Sequence, residues 1–369
     1  MKKNMYWNPS RMFAIAPDAK YFIAIGERSN GKTFGVKEYA FDDYLKRGKQ
    51  MAYIRRWEDD FRKADSFYAD FVSNPTRGNI IATKTQGRYN GVKYRMRAWH
   101  LCHYDAKGEI DEMDEKPFAF AFALTQEEHY KSMSFPDVET IFLDEFMTRR
   151  LYVNDEFLMF TSIISTIVRL RDTPRIFMCA NTITTYCPYF VEMGLRRVPK
   201  MEDGAIDVYQ YGDSLLKVVV ERTDALEKRT KKASNVYFAF DNPKLKMNTS
   251  GDWEVAIYPH LPFKYAPKEI KYQFFISFNN EVFHGEIIHH EKYWICYIHR
   301  KTTPIRDEGK YIVYQEDVSP KRNYSRNIMR PVTPMQKLIY SFFAKEKVFY
   351  QDNECGESVN HYLNWASDL

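Results

Sequence analysis

Apolar runs alternate with stretches of helical periodicity over the first 205 residues of this chain. We predict strands at 21–25, 51–54, 80–83, 118–124, 140–143 and 175–179. We predict helices over 34–46, 58–71 and 154–167. Strands that alternate with helices are typical of an α/β domain with a largely parallel sheet. Gly87 and the pair Asn90-Gly91 predict turns in a hairpin-like insertion at 84–102.

The pattern changes after residue 205. Residues 206–235 look mainly helical and end in a charged run, which predicts a helical linker. From residue 236 onward apolar strands dominate, and we expect them at 237–240, 253–258, 272–278, 282–289 and 293–299. Helical patterns follow at 333–344 and after 357. A second, α+β domain is therefore expected over 236–369.

Composition narrows the class of protein. A hydrophobic content of 44% over 369 residues is enough to build cores, so a disordered chain is not expected. The net charge of +5 allows a nucleic-acid partner without requiring one. The five scattered cysteines contain no CxxC pair, which favours a reduced, intracellular setting over disulfides or a zinc site. No apolar run approaches the length of a membrane span, and no signal peptide is expected.

The strand at 21–25 runs into Gly26-x-x-x-x-Gly31-Lys32-Thr33, the spacing of a Walker A loop. Backbone N–H groups of such a loop curl around a phosphate, and the following helix points its positive end there. Lys32 would bring charge to the β- and γ-phosphates, and Thr33 would place its hydroxyl on Mg²⁺. We therefore expect ATP to be bound by Gly26, Glu27, Arg28, Ser29, Asn30, Gly31, Lys32 and Thr33.

A second apolar strand ends in Asp144-Glu145, which resembles a Walker B motif. Asp144 is expected to hold Mg²⁺ beside Thr33, and Glu145 to act as the general base towards the attacking water. A glutamate directly after the aspartate is typical of the ASCE group of NTPases, which includes RecA-like motors. The next strand ends in Asn181, which can bridge the γ-phosphate and the water.

Phosphoryl transfer also requires positive charge against the developing negative oxygens. The candidates are Arg28 within the loop, Lys131, and the pair Arg169 and Arg171 after the helix predicted at 154–167. Either member of this pair could reach a neighbouring subunit, and the residues alone do not distinguish them.

These motifs together resemble those of the DNA-packaging (encapsidation) ATPases of small phi29-like short-tailed bacteriophages, relatives of the terminase large subunits. The resemblance spans the first 200 residues. It rests on Tyr6-Trp7-Asn8-Pro9, the loop from Ile25 to Thr33, Ala52-Tyr53-Ile54-Arg55-Arg56, Lys131-Ser132, the Asp144-Glu145 strand, Val168-Arg169-Leu170-Arg171 and Ala180-Asn181. A basic residue at the position of Arg28 is a feature of packaging ATPases rather than of P-loop enzymes in general.

The resemblance implies a RecA-like ASCE ATPase domain followed by a vestigial RNase H-like nuclease domain. It further implies a homomeric ring, with a pentamer as the expected form, on the portal vertex of a procapsid in the host cytoplasm. Double-stranded DNA would pass through the ring, and a structural packaging RNA is a possible further partner. Arg169 falls where the family places an arginine finger that acts in trans, with Lys131 as a second trans-acting candidate.

The second domain lacks the acids that a two-metal nuclease requires. Glu286 is the one acid within its predicted central strands, and His284, His289, His290 and His299 fit no zinc spacing. We therefore expect this domain not to cut DNA.

Two basic segments are candidate contacts for DNA. The first is the predicted hairpin, and the second is a loop in the second domain. Their basic residues are Lys84, Arg88, Lys93, Arg95 and Arg97, and Lys321, Arg322 and Arg326. Two alternatives to a packaging ATPase stay open: a headful-type terminase with an active nuclease, and a regulatory P-loop NTPase that binds a protein partner.

Overall fold

The computed structural model describes residues 7–148, 152–153, 155–182, 187–212, 214–224, 257–278 and 281–367. The described residues form two compact units, one within 1–254 and one within 255–369. Within the described residues, no helix is long and apolar enough to span a membrane.

The first unit is built on one mixed sheet of ten strands. The strands are β1 (Tyr21–Gly26), β2 (Gln50–Arg55), β3 (Gly91–Arg95), β4 (Ala98–Tyr104), β5 (Ile110–Met113), β6 (Ala119–Ala123), β7 (Val138–Asp144), β8 (Arg175–Asn181), β9 (Ile206–Gln210) and β10 (Lys217–Arg222). Their order is β3-β4-β6-β2-β7-β8-β1-β10-β9, with β5 beside β4. Six neighbouring strands of this sheet are parallel to one another: β6, β2, β7, β8, β1 and β10. This confirms the predicted α/β class.

Helices pack on the sheet of this unit. They are α1 (Ser10–Ile15), α2 (Lys32–Arg47), α3 (Ala69–Val72), α4 (Ile80–Lys84), α5 (Glu156–Val168) and α6 (Pro188–Glu192). One core contains Phe22, Phe41 and Phe177, and the other contains Ile23, Phe160 and Met178. Neighbouring residues of β1 and β8 therefore fill different cores, as expected for strands buried on both faces.

Two predictions of local structure between β2 and β3 were wrong. Residues 80–83 form helix α4 rather than a strand, because the Asn79 side chain accepts a hydrogen bond from the Ala82 N–H and caps it. Residues 58–71 do not form one helix; they form the 3₁₀ turns Glu58–Phe61 and Ala64–Tyr68 followed by α3. Their aromatic rings surround Trp99, which a single helical face could not achieve.

The linker predicted over 206–235 was also wrong in the part that is described. Residues 206–210 and 217–222 are strands β9 and β10, and β10 pairs in parallel with β1. The β-branched run Val218–Val220 is completely buried between its neighbours, so tertiary packing decides its conformation. The first unit therefore extends past the predicted boundary at 205, and residues 225–235 lie outside the described residues.

The predicted hairpin is present, but its turn differs. β3 and β4 pair as a hairpin whose turn is Met96-Arg97, and both residues have positive φ. Asn90-Gly91 instead lies at the start of β3.

The second unit contains a six-stranded sheet. Its strands are β11 (Ile270–Phe278), β12 (Glu281–His290), β13 (Tyr293–Arg300), β14 (Ile312–Gln315), β15 (Tyr324–Ser325) and β16 (Val348–Tyr350), in the order β15-β14-β11-β12-β13-β16. β11, β12 and β13 form an antiparallel meander, and β14 runs parallel to β11. This confirms the predicted strands at 272–278, 282–289 and 293–299 and the α+β class expected for this unit.

Two helices complete this unit, α7 (Pro334–Ala344) and α8 (Asn353–Ser367). Phe278 packs against Tyr362 and Trp365 of α8, which covers one face of the sheet. Helix α7 confirms the prediction at 333–344, whereas α8 begins four residues before the predicted 357. The strand predicted at 237–240 lies outside the described residues, as does 253–258 apart from its last two residues, which are not in a strand.

Candidate functional site: a nucleotide-binding strand edge

The Walker A loop lies between the end of β1 and the start of α2. Gly31 precedes α2 with φ of +85°, and Ser29 has φ of +61°, so the loop turns twice through the left-handed region. Only glycine adopts such a φ without strain, which explains Gly31. The N–H groups of the first turn of α2 then point at the loop, where an anion is favoured.

The loop is held in place from two sides. A Cβ on Gly26 would lie 2.0 Å from the Thr223 Oγ1. The Asn30 Nδ2 donates a hydrogen bond to the same Oγ1 over 2.6 Å. On the other side, the Trp7 N–H donates to the Asn30 carbonyl over 3.1 Å, and a Cβ on Gly35 would lie 2.2 Å from the Trp7 carbonyl oxygen. Trp7 and Thr223 therefore support the loop. The resemblance had singled out the segment of Trp7 without a role, whereas Thr223, far from the motif along the chain, was missed.

Lys32 and Asn181 meet at this edge of the sheet. The Lys32 side chain is buried and its Nζ donates to the carbonyls of Gly26 and Glu27 over 3.1 and 2.6 Å. The same Nζ lies 3.4 Å from the Asn181 Oδ1. Strand β8 neighbours both β1 and β7, so Asn181 ends between the Walker A loop and Asp144.

Thr33 and Asp144 also meet. The Thr33 Oγ1 lies 3.2 and 3.1 Å from the two carboxylate oxygens of Asp144, and the Tyr53 hydroxyl donates to Oδ2 over 3.3 Å. Burial raises the pKa of Asp144, although the nearby charge of Arg55 opposes that rise. A hydroxyl and a carboxylate in contact are the hard oxygen ligands that Mg²⁺ prefers, so these two residues fit the metal.

Glu145 follows Asp144 in a left-handed conformation with φ of +55°. This turn directs its side chain away from the strand, and the side chain is 57% exposed. The Arg55 Nη2 pairs with the Glu145 Oε2 over 2.8 Å. Arg55 ends β2, beside β7, so its contact with Glu145 comes from strand order and was not visible in the sequence.

An open pocket of about 370 Å³ adjoins the loop. Its lining includes Asp70, Asn74 and Pro75, which the sequence reasoning missed. Asp70 is held by the buried Lys37, whose Nζ lies 2.6 Å from the Asp70 Oδ1. The remaining lining residues are Ser29, Asn30, Gly31, Lys32, Thr33, Phe34 and Asn181. The structure thus brings most of the predicted nucleotide-binding residues to one pocket.

The two candidate finger arginines differ in their contacts. Arg171 donates to the carbonyls of Phe135, Pro136, Val138 and Ile167 over 2.6 to 2.9 Å. Arg169 is exposed at the end of α5, with φ of +51° and one hydrogen bond to the Met133 carbonyl over 2.7 Å.

The other two cations are also exposed. Lys131 pairs with Glu127 and Glu128, and its side chain is 50% exposed. Arg28 is exposed on the Walker A loop. The residues that line the pocket include neither Arg169 nor Lys131.

The hairpin cations are mostly paired within the first unit. The pairs are Lys84–Asp42, Arg88–Glu112, Lys93–Asp65 and Arg97–Glu58. Arg95 is exposed next to the turn residue Met96, which is 86% exposed. In the second unit Lys321 pairs with Glu308 and Arg326 lies over the Trp365 ring, whereas Arg322 is exposed.

The four histidines considered as zinc ligands in the sequence do not form one set. His289 stacks on Trp294, and His290 contacts Glu269 over 2.6 Å. His284 and His299 instead lie on either side of Glu286. Burial lowers the pKa of His284 to about 4.

This chain is similar to known proteins in sequence and in fold. The family described as podovirus DNA encapsidation protein (Gp16) matches residues 1–366. The DNA packaging protein of Bacillus phage phi29 is 23% identical over 216 residues, which cover 56% of this chain and 57% of that protein. The chain therefore spans about half the length of the curated relatives that it matches.

Two solved assemblies share the fold over almost the whole chain. The bacteriophage Phi-29 viral genome packaging motor assembly matches with a TM-score of 0.58 and 18% identity, covering 98% of this chain and 100% of that chain. The Phi-28 gp11 DNA packaging motor matches with a TM-score of 0.56 and 18% identity, covering 98% of both chains.

Proposed function

The chain belongs to the podovirus DNA encapsidation protein (Gp16) family, and we propose that it is an ATPase that drives double-stranded DNA into a viral procapsid. One observation carries this proposal above the others. Thr33 at the start of α2, Asp144 at the end of β7 and Asn181 at the end of β8 meet beside the Walker A loop, and Glu145 directly follows Asp144. This is the set of groups that hydrolysis of a bound triphosphate requires.

In this proposal, different residues bind the phosphates, bind the metal and accept the proton. The N–H groups of the loop and of α2 hold the phosphates of ATP, and Lys32 turns its Nζ from the carbonyls of Gly26 and Glu27 towards them. Thr33 and Asp144 would hold Mg²⁺, which would supply positive charge against the phosphate oxygens. Glu145 leaves Arg55 and accepts a proton from the attacking water, which Asn181 orients.

We further propose that the active unit is a homomeric ring, with a pentamer as the expected form, because the candidate cations Arg169 and Lys131 are exposed and do not line the pocket of their own subunit. Arg169 suits a role in trans since it is exposed and held by one hydrogen bond, whereas Arg171 is fully engaged by backbone carbonyls. Lys131 is the second trans-acting candidate. The ring would work in the host cytoplasm at the portal vertex, with a packaging RNA as a possible component.

Arg95 and Arg322 are the proposed contacts to DNA phosphates, because their guanidinium groups are exposed while the neighbouring cations are paired. Such contacts do not depend on base sequence, as a translocating protein requires.

We also propose that the second unit does not cut DNA. In its described residues, the one group of three potential metal ligands contains a single carboxylate, Glu286. Two-metal cleavage would need several. Incubation of the protein with plasmid in Mg²⁺ or Mn²⁺ tests this, and cleavage would favour a headful-type terminase.

The test of the main proposal is ATP turnover with and without duplex DNA and procapsids. Wild-type protein should hydrolyse ATP, and Glu145→Gln should bind a fluorescent nucleotide normally while its kcat falls by about 10²–10⁴-fold. The matched control is Glu192→Gln, an exposed acid on α6. Turnover that ignores both DNA and procapsids would favour a regulatory NTPase.

A further inference from the structure

A cluster of three metal-ligating side chains lies on the antiparallel sheet of the second unit. His284 and Glu286 are two residues apart on β12 and therefore lie on the same face. His299 on β13 pairs directly with His284 across the strands. The strand register, rather than sequence spacing, brings the three together.

The ligand atoms face one another. The His284 Nδ1 lies 3.9 Å from one carboxylate oxygen of Glu286, and the His299 Nε2 lies 4.0 Å from the other. One ligand atom from each residue can be chosen so that all lie within 4.8 Å of one another. Ligand bonds of about 2.0–2.2 Å require donor atoms somewhat closer than this, which rotation of the imidazole rings can achieve.

Neighbouring groups already orient these ligands. The His299 Nδ1 lies 3.2 Å from the Arg300 carbonyl oxygen, so it carries the proton and leaves the Nε2 lone pair directed at Glu286. The Tyr265 hydroxyl donates to the Glu286 Oε2. The His284 ring stacks on Phe275 with a centroid distance of 4.7 Å. Such outer contacts are typical of metal ligands in proteins.

The burial of this cluster gives a further reason for a bound ion. The His284 side chain is 13% exposed, and its Nε2 has no hydrogen-bond partner among the described residues, so no hydrogen bond there opposes rotation of the ring. The Glu286 side chain is 8% exposed, so a carboxylate is buried beside two imidazoles. A cation among these groups would offset the cost of burying them.

We propose that His284, Glu286 and His299 bind one divalent ion of the zinc class and thereby connect β12 to β13. Two imidazoles and one carboxylate suit Zn²⁺, Co²⁺ or Ni²⁺ rather than Mg²⁺, which prefers oxygen ligands. Three protein ligands leave a fourth position for water. This site is separate from the Walker A loop and does not depend on the proposed ATPase function.

The test uses the full-length protein, which is freed of metal with a chelator and titrated with Co²⁺. Excess Mg²⁺ is present so that it would compete for the Thr33–Asp144 site. We expect one equivalent of Co²⁺ with the visible absorption of a four-coordinate site, displaced by Zn²⁺. Zn²⁺ should also raise the unfolding temperature of the wild-type protein. Tyr265→Phe should weaken binding by about 10–100-fold, as removal of an outer hydrogen bond does elsewhere.

His299→Gln and Glu286→Gln should abolish the absorption, while the matched control His289→Gln on β12 should keep it. His299→Gln is the decisive variant because its side chain is 28% exposed and its replacement should leave the fold intact. Absence of Co²⁺ absorption in the wild-type protein would overturn the proposal. Absorption that survives in His299→Gln, or that disappears in Asp144→Asn, would also overturn it.

Discussion

The two units of this chain present polar groups in different ways. In the first unit they lie at the carboxyl ends of parallel strands, where Gly26, Asp144 and Asn181 each end a buried strand. In the second unit they lie in the middle of antiparallel strands, where His284 and Glu286 share a face with His299. The first arrangement gathers groups at an open edge, as α/β folds commonly do around a ligand.

This difference decides what a substitution should change. A group at an open strand end can contact a ligand and does not join one strand to another, so its removal should affect turnover more than stability. A group within a sheet face contributes to the packing of the unit, so its removal should affect stability first. The following predictions test that contrast.

The largest effect is expected at the end of α5, where Arg169 and Arg171 lie two residues apart. Arg169→Ala should lower kcat by about 10³-fold or more, the value of an arginine finger, and leave the unfolding temperature unchanged. Arg171→Ala should instead lower the free energy of unfolding by about 2 kcal/mol or more, because it removes four hydrogen bonds to backbone carbonyls.

Mixing of subunits separates a finger in trans from a structural role. Arg169→Ala subunits should regain activity when they are mixed with Glu145→Gln subunits, and Arg171→Ala subunits should not. Lack of rescue at every mixing ratio would rule out Arg169 as a group that acts across subunits.

We expect the ionised, buried Asp144 to lower the free energy of unfolding of the first unit, although the same carboxylate is the proposed ligand of Mg²⁺. Because burial raises its pKa, the folded protein binds this proton more tightly than the unfolded chain does. The protonated Asp144 therefore contributes to the free energy of unfolding at pH values below its pKa in the unfolded chain. This contribution is lost as the pH rises through its pKa in the folded protein. Asp144→Asn should raise the free energy of unfolding at pH 7 by about 0.5–2 kcal/mol, although turnover stops.

Denaturant titrations at several pH values measure this difference. The gain from Asp144→Asn should shrink as the pH falls towards the ordinary pKa of an aspartate, about 4. The matched control is Asp172→Asn, whose native side chain is 94% exposed. A variant that is less stable than the wild-type protein at pH 7 would show that the contacts with Thr33 and Tyr53 outweigh the cost of burial.

The smallest effect concerns DNA and compares one exposed arginine from each unit. Arg95→Glu and Arg322→Glu should each weaken duplex binding and reduce the slope of log K against log salt by about 0.9 for each phosphate that is no longer neutralised. Arg88→Glu, whose native side chain already pairs with Glu112, is the control. An effect from only one of the two arginines would assign the DNA contact to that unit.

Much of the first unit could be predicted from the sequence because its chemistry is contiguous. The Walker A loop and Asp144-Glu145 each occupy a few consecutive residues at a strand end, and the structure brings them together as expected. The contacts of Tyr53 and Arg55 depend on β2 lying beside β7, which no local pattern encodes. Thr223 was missed for the same reason, since β10 was expected to be helical.

The second unit was predicted less completely because its polar cluster arises from register. The strands at 272–278, 282–289 and 293–299 were predicted, but the pairing of His284 with His299 was not. Cross-strand pairing depends on turn geometry and on which face is buried, so sequence spacing alone could not reveal it. In the first unit, residues 58–71 were likewise predicted wrongly from a local pattern, because their packing around Trp99 decides their structure rather than their helical periodicity.

The central claim is that ATP hydrolysis at Glu145 moves duplex DNA into a capsid. The most direct measurement is protection of DNA from nuclease after incubation with procapsids, ATP and this protein. We predict protection with the wild-type protein and with Glu192→Gln, and none with Glu145→Gln or without ATP. Equal protection with Glu145→Gln, or no protection with an active wild-type ATPase, would contradict the account.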